Sequence, residues 1–168
     1  MFFNKFAAKY PKKTEINLFI GNCLKELKRY DEAAKKYLLV TFEKDNMYNK
    51  VIAAKGFAGL GELYALKNDL KGAQHYFESS IRLSPKDEIL AYNVGEIYFG
   101  NNNPDGAIKY YKLASEIKPD WSVPYVKMGY AYLNKGDIPG ARSSFKKFLE
   151  LDKDSPKAET IREILKSL

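Results

Sequence analysis

Two glutamates, Glu62 and Glu96, stand one 34-residue step apart, and a carboxylate pair is the natural first place to look for acid–base chemistry. Nothing near them in the sequence supplies a nucleophile, a metal ligand or a closed pocket. The single histidine, His75, falls in a helical stretch on its outer side and reads as a surface residue. The single cysteine, Cys23, excludes an internal disulfide. It lies mid-helix beside an apolar stripe, which predicts a buried small residue rather than a reactive thiol. Gly56, Gly59 and Gly61 superficially resemble a phosphate loop, but they sit inside a helical stripe and not after a strand, so close helix packing explains them better. No HExxH, CxxC or GxxxxGK[ST] is present. The sequence reads as non-catalytic, with no metal site and no cofactor.

The spacing of the two glutamates is itself the larger signal. With Glu88 as place 1 of a unit, Ala91 falls at place 4, Val94 at 7, Gly95 at 8, Tyr98 at 11, Ala107 at 20, Tyr111 at 24, Ala114 at 27 and Pro119 at 32. Beginning again at Ser122, the residues Tyr125, Met128, Gly129, Tyr132, Ala141, Phe145 and Phe148 occupy the same places. Beginning at Ala54, so do Phe57, Leu60, Gly61, Tyr64, Ala73, Phe77, Ser80 and Pro85. A fixed period of this length is the mark of a repeat array. Apolar residues at 4, 7 and 11 make one helical stripe and those at 20, 24 and 27 a second. Small residues at 8 and 20 allow two antiparallel backbones to approach. Asn68-Asp69, Asn103-Pro104 and Gly136-Asp137 supply turns and caps, and Pro85 and Pro119 end the second helices.

This pattern resembles the tetratricopeptide repeat (TPR) family. The resemblance rests on the small residue at 8, alanine at 20, aromatics at 11 and 24, and proline at 32. It implies an all-α fold: a right-handed α-solenoid of antiparallel helix pairs closed by a C-terminal capping helix. The expected organisation is a single array over residues 1–168. Residues 1–13 form the second helix of a truncated repeat, with Phe3 at place 24, Phe6 at 27 and Pro11 at 32. Repeats follow at 14–47, 54–87, 88–121 and 122–155, with an insertion at 48–53 that lengthens the following helix. Ser155 caps a final helix at 156–168, whose stripe is Ile161, Ile164, Leu165 and Leu168. A chain opening on a second helix is expected to be a fragment of a longer protein, so any targeting segment would lie outside it.

The resemblance also implies that first helices line a concave groove, reached by places 2, 5, 9, 12 and 13 with 33 and 34. Carried over, this gives Leu18, Asn22 and Lys25 from the first full unit, then Lys55, Ala58, Glu62 and Ala65. The third unit gives Ile89, Tyr92, Glu96, Phe99 and Trp121, and the last Val123, Val126, Tyr130 and Leu133. The expected groove is apolar and aromatic toward its C-terminal half, with acidic points at Glu62 and Glu96. Tyr92, Phe99, Trp121 and Tyr130 are its candidate anchors. The family's carboxylate clamp is matched only by Asn93 and Lys127, while Ala58 and Glu62 replace the lysine and asparagine expected before them. The partner expected is therefore a more apolar peptide or amphipathic helix of another protein.

Net charge is +7, and 45% of residues are hydrophobic. Residues 1–53 hold 11 Lys and Arg against 6 Asp and Glu, a basic end that could dock on acidic protein, nucleic acid or anionic lipid, although solvated helix surface is the better reading. The lysines are scattered around helices without interleaved stacking aromatics, which argues against nucleic acid. No apolar run approaches the ~20 residues needed to cross a bilayer. A soluble, cytoplasmic chain is the favoured reading. The alternative function is a self-assembling scaffold, a homo-oligomer joined through Phe2, Phe3 and Phe6 at an uncovered repeat end.

Overall fold

Each helix begins and ends where the backbone chemistry of the sequence changes. The computed structural model describes residues 13–42 and 47–168. It contains α1 (Lys13–Glu26), α2 (Tyr30–Thr41), α3 (Met47–Leu66), α4 (Leu70–Leu83), α5 (Glu88–Gly100), α6 (Pro104–Ile117), α7 (Ser122–Lys135), α8 (Ile138–Leu151) and α9 (Pro156–Ser167). Among the described residues there is no strand. The fold class is thus all-α, and successive helices pack as pairs. The helix expected before residue 13, with Phe2, Phe3 and Phe6, lies outside the described residues.

The chain divides into two units, residues 1–85 and 86–168. In the first, α1 packs on α2, α2 on α3 and α3 on α4, around Leu18, Leu24, Tyr37, Val40, Ile52, Leu60 and Leu63. In the second, α5 packs on α6, α6 on α7, α7 on α8 and α8 on α9. There Val126, Phe145, Phe148, Ala158 and Ile161 share a core with the flanking Ile164, Leu165 and Leu168. The last helix covers the end of its unit with that stripe and turns Lys157, Glu159, Arg162, Glu163 and Lys166 to solvent. Ser155 stands at the N-cap but makes no side-chain capping bond. Its hydroxyl is buried without a hydrogen-bond partner among the described residues, so this helix start relies on Pro156 and packing.

One close approach recurs within every helix pair. The ring at place 24, which is Tyr37, Phe77, Tyr111 or Phe145, is fully buried against the glycine at place 8. A Cβ built on Gly129 would lie 2.3 Å from Phe145, and one on Gly95 2.6 Å from Tyr111. No side chain fits there. Alanine at place 20 (Ala33, Ala73, Ala107, Ala141) is likewise wholly buried.

The turn inside each pair is also shared. Place 15 is left-handed throughout: φ is 58° at Lys28, 61° at Asn68, 54° at Asn102 and 82° at Gly136. The next amide reaches back to the carbonyl five residues earlier, as in Arg29 to Leu24 at 2.8 Å and Asp137 to Tyr132 at 2.9 Å, the Schellman arrangement. Asp69, Asn103 and Asp137 then cap the second helix by accepting from the amides of Gly72, Gly106 and Gly140. The first unit departs from this scheme. Arg29 makes no cap bond and pairs instead with Glu32 at 2.7 Å. Residues 48–53 lie within α3, which runs 20 residues, and Ile52 enters the core.

Two stability changes are expected. Lys28→Gly should raise stability by about 1 kcal/mol, because a left-handed lysine carries a strain that glycine lacks. Gly129→Ala should cost about 1–3 kcal/mol, since Phe145 has no room to retreat. Urea unfolding followed by circular dichroism measures both.

Candidate functional site

The periodicity of α5 places three side chains on one stripe away from the core. Ala91, Val94 and Tyr98 are buried, while Tyr92, Glu96 and Phe99, at i, i+4 and i+7, are half-buried. Two of the three are drawn into one cluster. The Tyr92 ring centroid lies 5.0 Å from that of Trp121 and 5.8 Å from that of Tyr111. One carboxylate oxygen of Glu96 accepts from the Tyr111 hydroxyl. The other accepts from the Lys127 ammonium on α7 at 2.7 Å.

The same logic operates in residues 1–85 with different members. The Tyr37 hydroxyl donates to Asn22 Oδ1 at 2.8 Å, and the Lys25 ammonium donates to Glu62. Place 9 is therefore matched to the ring at place 24. Where that ring is tyrosine, place 9 is an acceptor, Asn22 or Glu96. Where it is phenylalanine, place 9 turns elsewhere: Glu62 to Lys25, and Tyr130 edge-on against Phe145 at 5.3 Å.

This pairing revises the electrostatic expectation for the groove. Glu62 and Glu96 are not bare acidic points, because a lysine on a neighbouring first helix pairs with each, Lys25 on α1 with Glu62 and Lys127 on α7 with Glu96. The remaining expected residues are distributed as follows. Asn22 and Lys55 are exposed, and Phe99, Trp121 and Tyr130 are half-buried. Val126, 1% exposed, sits in the core beside Phe145 and Ile161 and offers no surface. Leu18 and Ala65 are also buried.

Cys23 corrects the sequence reading, since it is exposed. It sits at place 10, where Leu63 and Ala131 are buried in later units, but on α1 no described neighbour covers it. His75 is exposed on α4, its ring edge-on to Tyr76 at 5.4 Å. Among the described residues no group of three or more His, Cys, Asp or Glu side chains is placed to hold a metal ion, and no helix is long and apolar enough to cross a membrane.

Sequence reasoning treated Tyr111 as core alone and missed that its hydroxyl organises Glu96. The signal was present: tyrosine at place 24 accompanies an acceptor at place 9, and phenylalanine at 24 does not demand one. Burial and then the hydrogen bond from Tyr111 to Glu96 push the Tyr111 pKa upward. Burial, followed by the charge of Glu62, does the same for Tyr37. For Lys127 burial alone would lower the pKa, but the bond and charge of Glu96 outweigh it and raise it.

For Tyr111 and Tyr37 the raised values stabilise the neutral phenol in the folded state. Their contribution is complete below the ordinary phenol value of about 10 and is lost as pH rises above it. In a spectroscopic alkaline titration, the tyrosinate signal removed by Tyr111→Phe or Tyr37→Phe should appear only as the helices unfold. Ionisation of either ring in the folded protein would contradict this placement.

Comparison with known proteins agrees with the geometry. The tetratricopeptide repeat profile matches residues 59–120 and, in a second form, residues 124–155. No curated protein matches the chain significantly. Among solved structures, the N-terminal domain of the stress-induced protein STI-1 from C. elegans is 18% identical, covers 68% of this chain and 96% of its own, and superposes with a TM-score of 0.59. YrrB, described as a TPR protein with an unusual peptide-binding site, is 20% identical over 98% of this chain and 82% of its own, with a TM-score of 0.63. The first TPR domain of Spaghetti (RPAP3), solved with the HSP90 peptide SRMEEVD, is 19% identical over 68% and 91%, with a TM-score of 0.54. At these identities the likeness concerns the fold. Repeat register, helix-pair packing and profile matches converge, and the chain belongs to the tetratricopeptide repeat family.

Proposed function

We propose that the protein is a non-catalytic adaptor whose first helices bind a peptide or helical segment of a partner protein. A protein-interaction role follows from the fold itself. The observation that supports a specific site is the half-buried pair Tyr92 and Trp121, 5.0 Å apart beside the Glu96–Lys127 ion pair. Large rigid rings with a polar tip lose little entropy when a partner covers them. Tyr111 fixes Tyr92 from below, so the surface is organised before binding. The neutralised carboxylate removes the field that would select a cationic ligand, and an apolar or aromatic side chain of the partner fits best. Phe99 and Tyr130 flank this site on α5 and α7. In residues 1–85 the places of Tyr92, Glu96 and Phe99 carry Leu18, Asn22 and Lys25 on α1 and Ala58, Glu62 and Ala65 on α3, beside the exposed Lys55, so they hold no aromatic ring. YrrB and the Spaghetti domain, with their described peptide site and bound peptide, lend this reading support by fold.

A native-lysate pull-down comparing the parent with Tyr92→Ala/Trp121→Ala/Tyr130→Ala tests it. A partner held by the parent should be lost by the variant, at a cost of about 2 kcal/mol or more for each anchor that acts as a hot spot. Equal capture by both, with the helical spectrum intact, would refute the site.

One observation favours self-association as a second reading. Phe19 and Cys23 on α1, and Leu27 just past its end, form an i, i+4, i+8 ridge, with Phe19 62% and Leu27 67% exposed. If copies join through this ridge, Phe19→Glu/Leu27→Glu should convert an assembly to monomer by light scattering. A parent that is monomeric at all concentrations excludes the reading.

A further inference from the structure

The outer side of the second helices carries a surface that the groove does not use. Places 25, 26 and 29 point outward in each unit. They are Glu78, Ser79 and Arg82 on α4, Lys112, Leu113 and Glu116 on α6, and Lys146, Lys147 and Glu150 on α8. On α2 the same places are Leu38, Leu39 and Phe42, which are 39%, 50% and 76% exposed. Val51, also exposed, lies at the same end of the pair, early in α3. None of the three is needed for the core, which Tyr37 and Val40 fill from the opposite side of α2. Single exposed leucines are ordinary. Three apolar residues together, at places that are mainly polar elsewhere in the same chain, form a patch of the kind that marks an interface.

The charge around the patch selects its occupant. Residues 1–85 contain 15 Lys and Arg against 9 Asp and Glu, so they hold +6 of the net +7. The acids on α2 are engaged, Asp31 with Lys67 at 3.1 Å and Glu32 with Arg29 at 2.7 Å. Lys35, one turn before Leu39 on α2, and Lys50, next to Val51 on α3, are exposed. A second copy offering the same surface would bring two strongly positive units together.

We propose that Leu38, Leu39 and Phe42 dock an amphipathic helical segment of another protein, with apolar residues on one face and acidic residues flanking it. This surface lies in residues 1–85 and is independent of the Tyr92–Trp121 site. The apolar ridge holds the segment, and Lys35 and Lys50 set its charge and speed its encounter.

Fluorescence anisotropy with two labelled peptides of about 18 residues, five helical turns, tests the proposal. Both carry leucine at i, i+3, i+4 and i+7, with glutamate at the remaining places in one and lysine in the other. The expected result is that the glutamate peptide binds, the lysine peptide does not, and added salt weakens the complex. Leu39→Glu/Phe42→Glu should reduce binding by about tenfold or more, while Tyr92→Ala/Trp121→Ala leaves it unchanged. Both side chains are exposed, so the melting temperature should hold. If it falls, Leu39→Ser/Phe42→Ser replaces that variant. Equal binding of both peptides, indifference to the α2 variants, or loss through the groove variant overturns the proposal. So does patch-dependent binding to phosphatidylserine vesicles in place of the glutamate peptide, or a patch-dependent dimer.

Discussion

The structure depends on an aromatic ring resting on a glycine. In every helix pair the ring at place 24 lies where a Cβ at place 8 would otherwise stand, and this sets how closely the two backbones pack. Three pairs repeat the device in reverse, with Tyr64, Tyr98 and Tyr132 seated on Gly72, Gly106 and Gly140. Those glycines also give their amides to the helix cap. Packing distance, turn geometry and capping are thus fixed by the same few residues. Protein interiors tolerate little change in volume, which is why so strict a pattern returns at each step of the repeat.

The ring at place 24 also links the core to the proposed binding surface. Its body is buried between helices, but in two pairs its hydroxyl reaches the first helix and orients the side chain at place 9. In residues 86–168 that side chain is Glu96, which also holds Lys127 and lies beside Tyr92 and Trp121. A buried hydroxyl needs an acceptor, so the polar character at place 9 is partly a structural requirement. The aromatic faces of Tyr92 and Trp121 are under no such requirement, which is why the proposed site is built on them.

The first full unit departs from the others at several places. Lys28 and Arg29 stand where the other units carry Asn or Gly followed by Asp or Asn, so the turn is strained and uncapped. Its outer helix face is apolar where later units are mainly polar, and α3 begins with added turns that bury Ile52 beside Val40. In a repeat array such departures cannot be explained by the needs of the repeat, because the neighbouring units meet those needs with other residues.

The repeat period, the helix pairing, the glycine–alanine–aromatic framework and the covering role of the last helix were legible in the sequence, because each depends on local spacing that recurs. The insertion at 48–53 has no counterpart in the other units, and its only sign in the sequence was the absence of a proline ahead of Ala54. What the sequence left open was decided by neighbours brought together across the fold. Cys23 lies on a helix face like that of Leu63 and Ala131, yet it is exposed because no described segment packs there. Val126 and Tyr130, one turn apart on α7, separate into core and surface. Glu62 and Glu96 look alike at place 9, but Lys25 pairs with the one while Tyr111 and Lys127 share the other. Periodicity states which side of a helix a residue occupies. Only the tertiary structure supplies what stands opposite, and that partner determines whether a side chain is core, ion pair or binding surface.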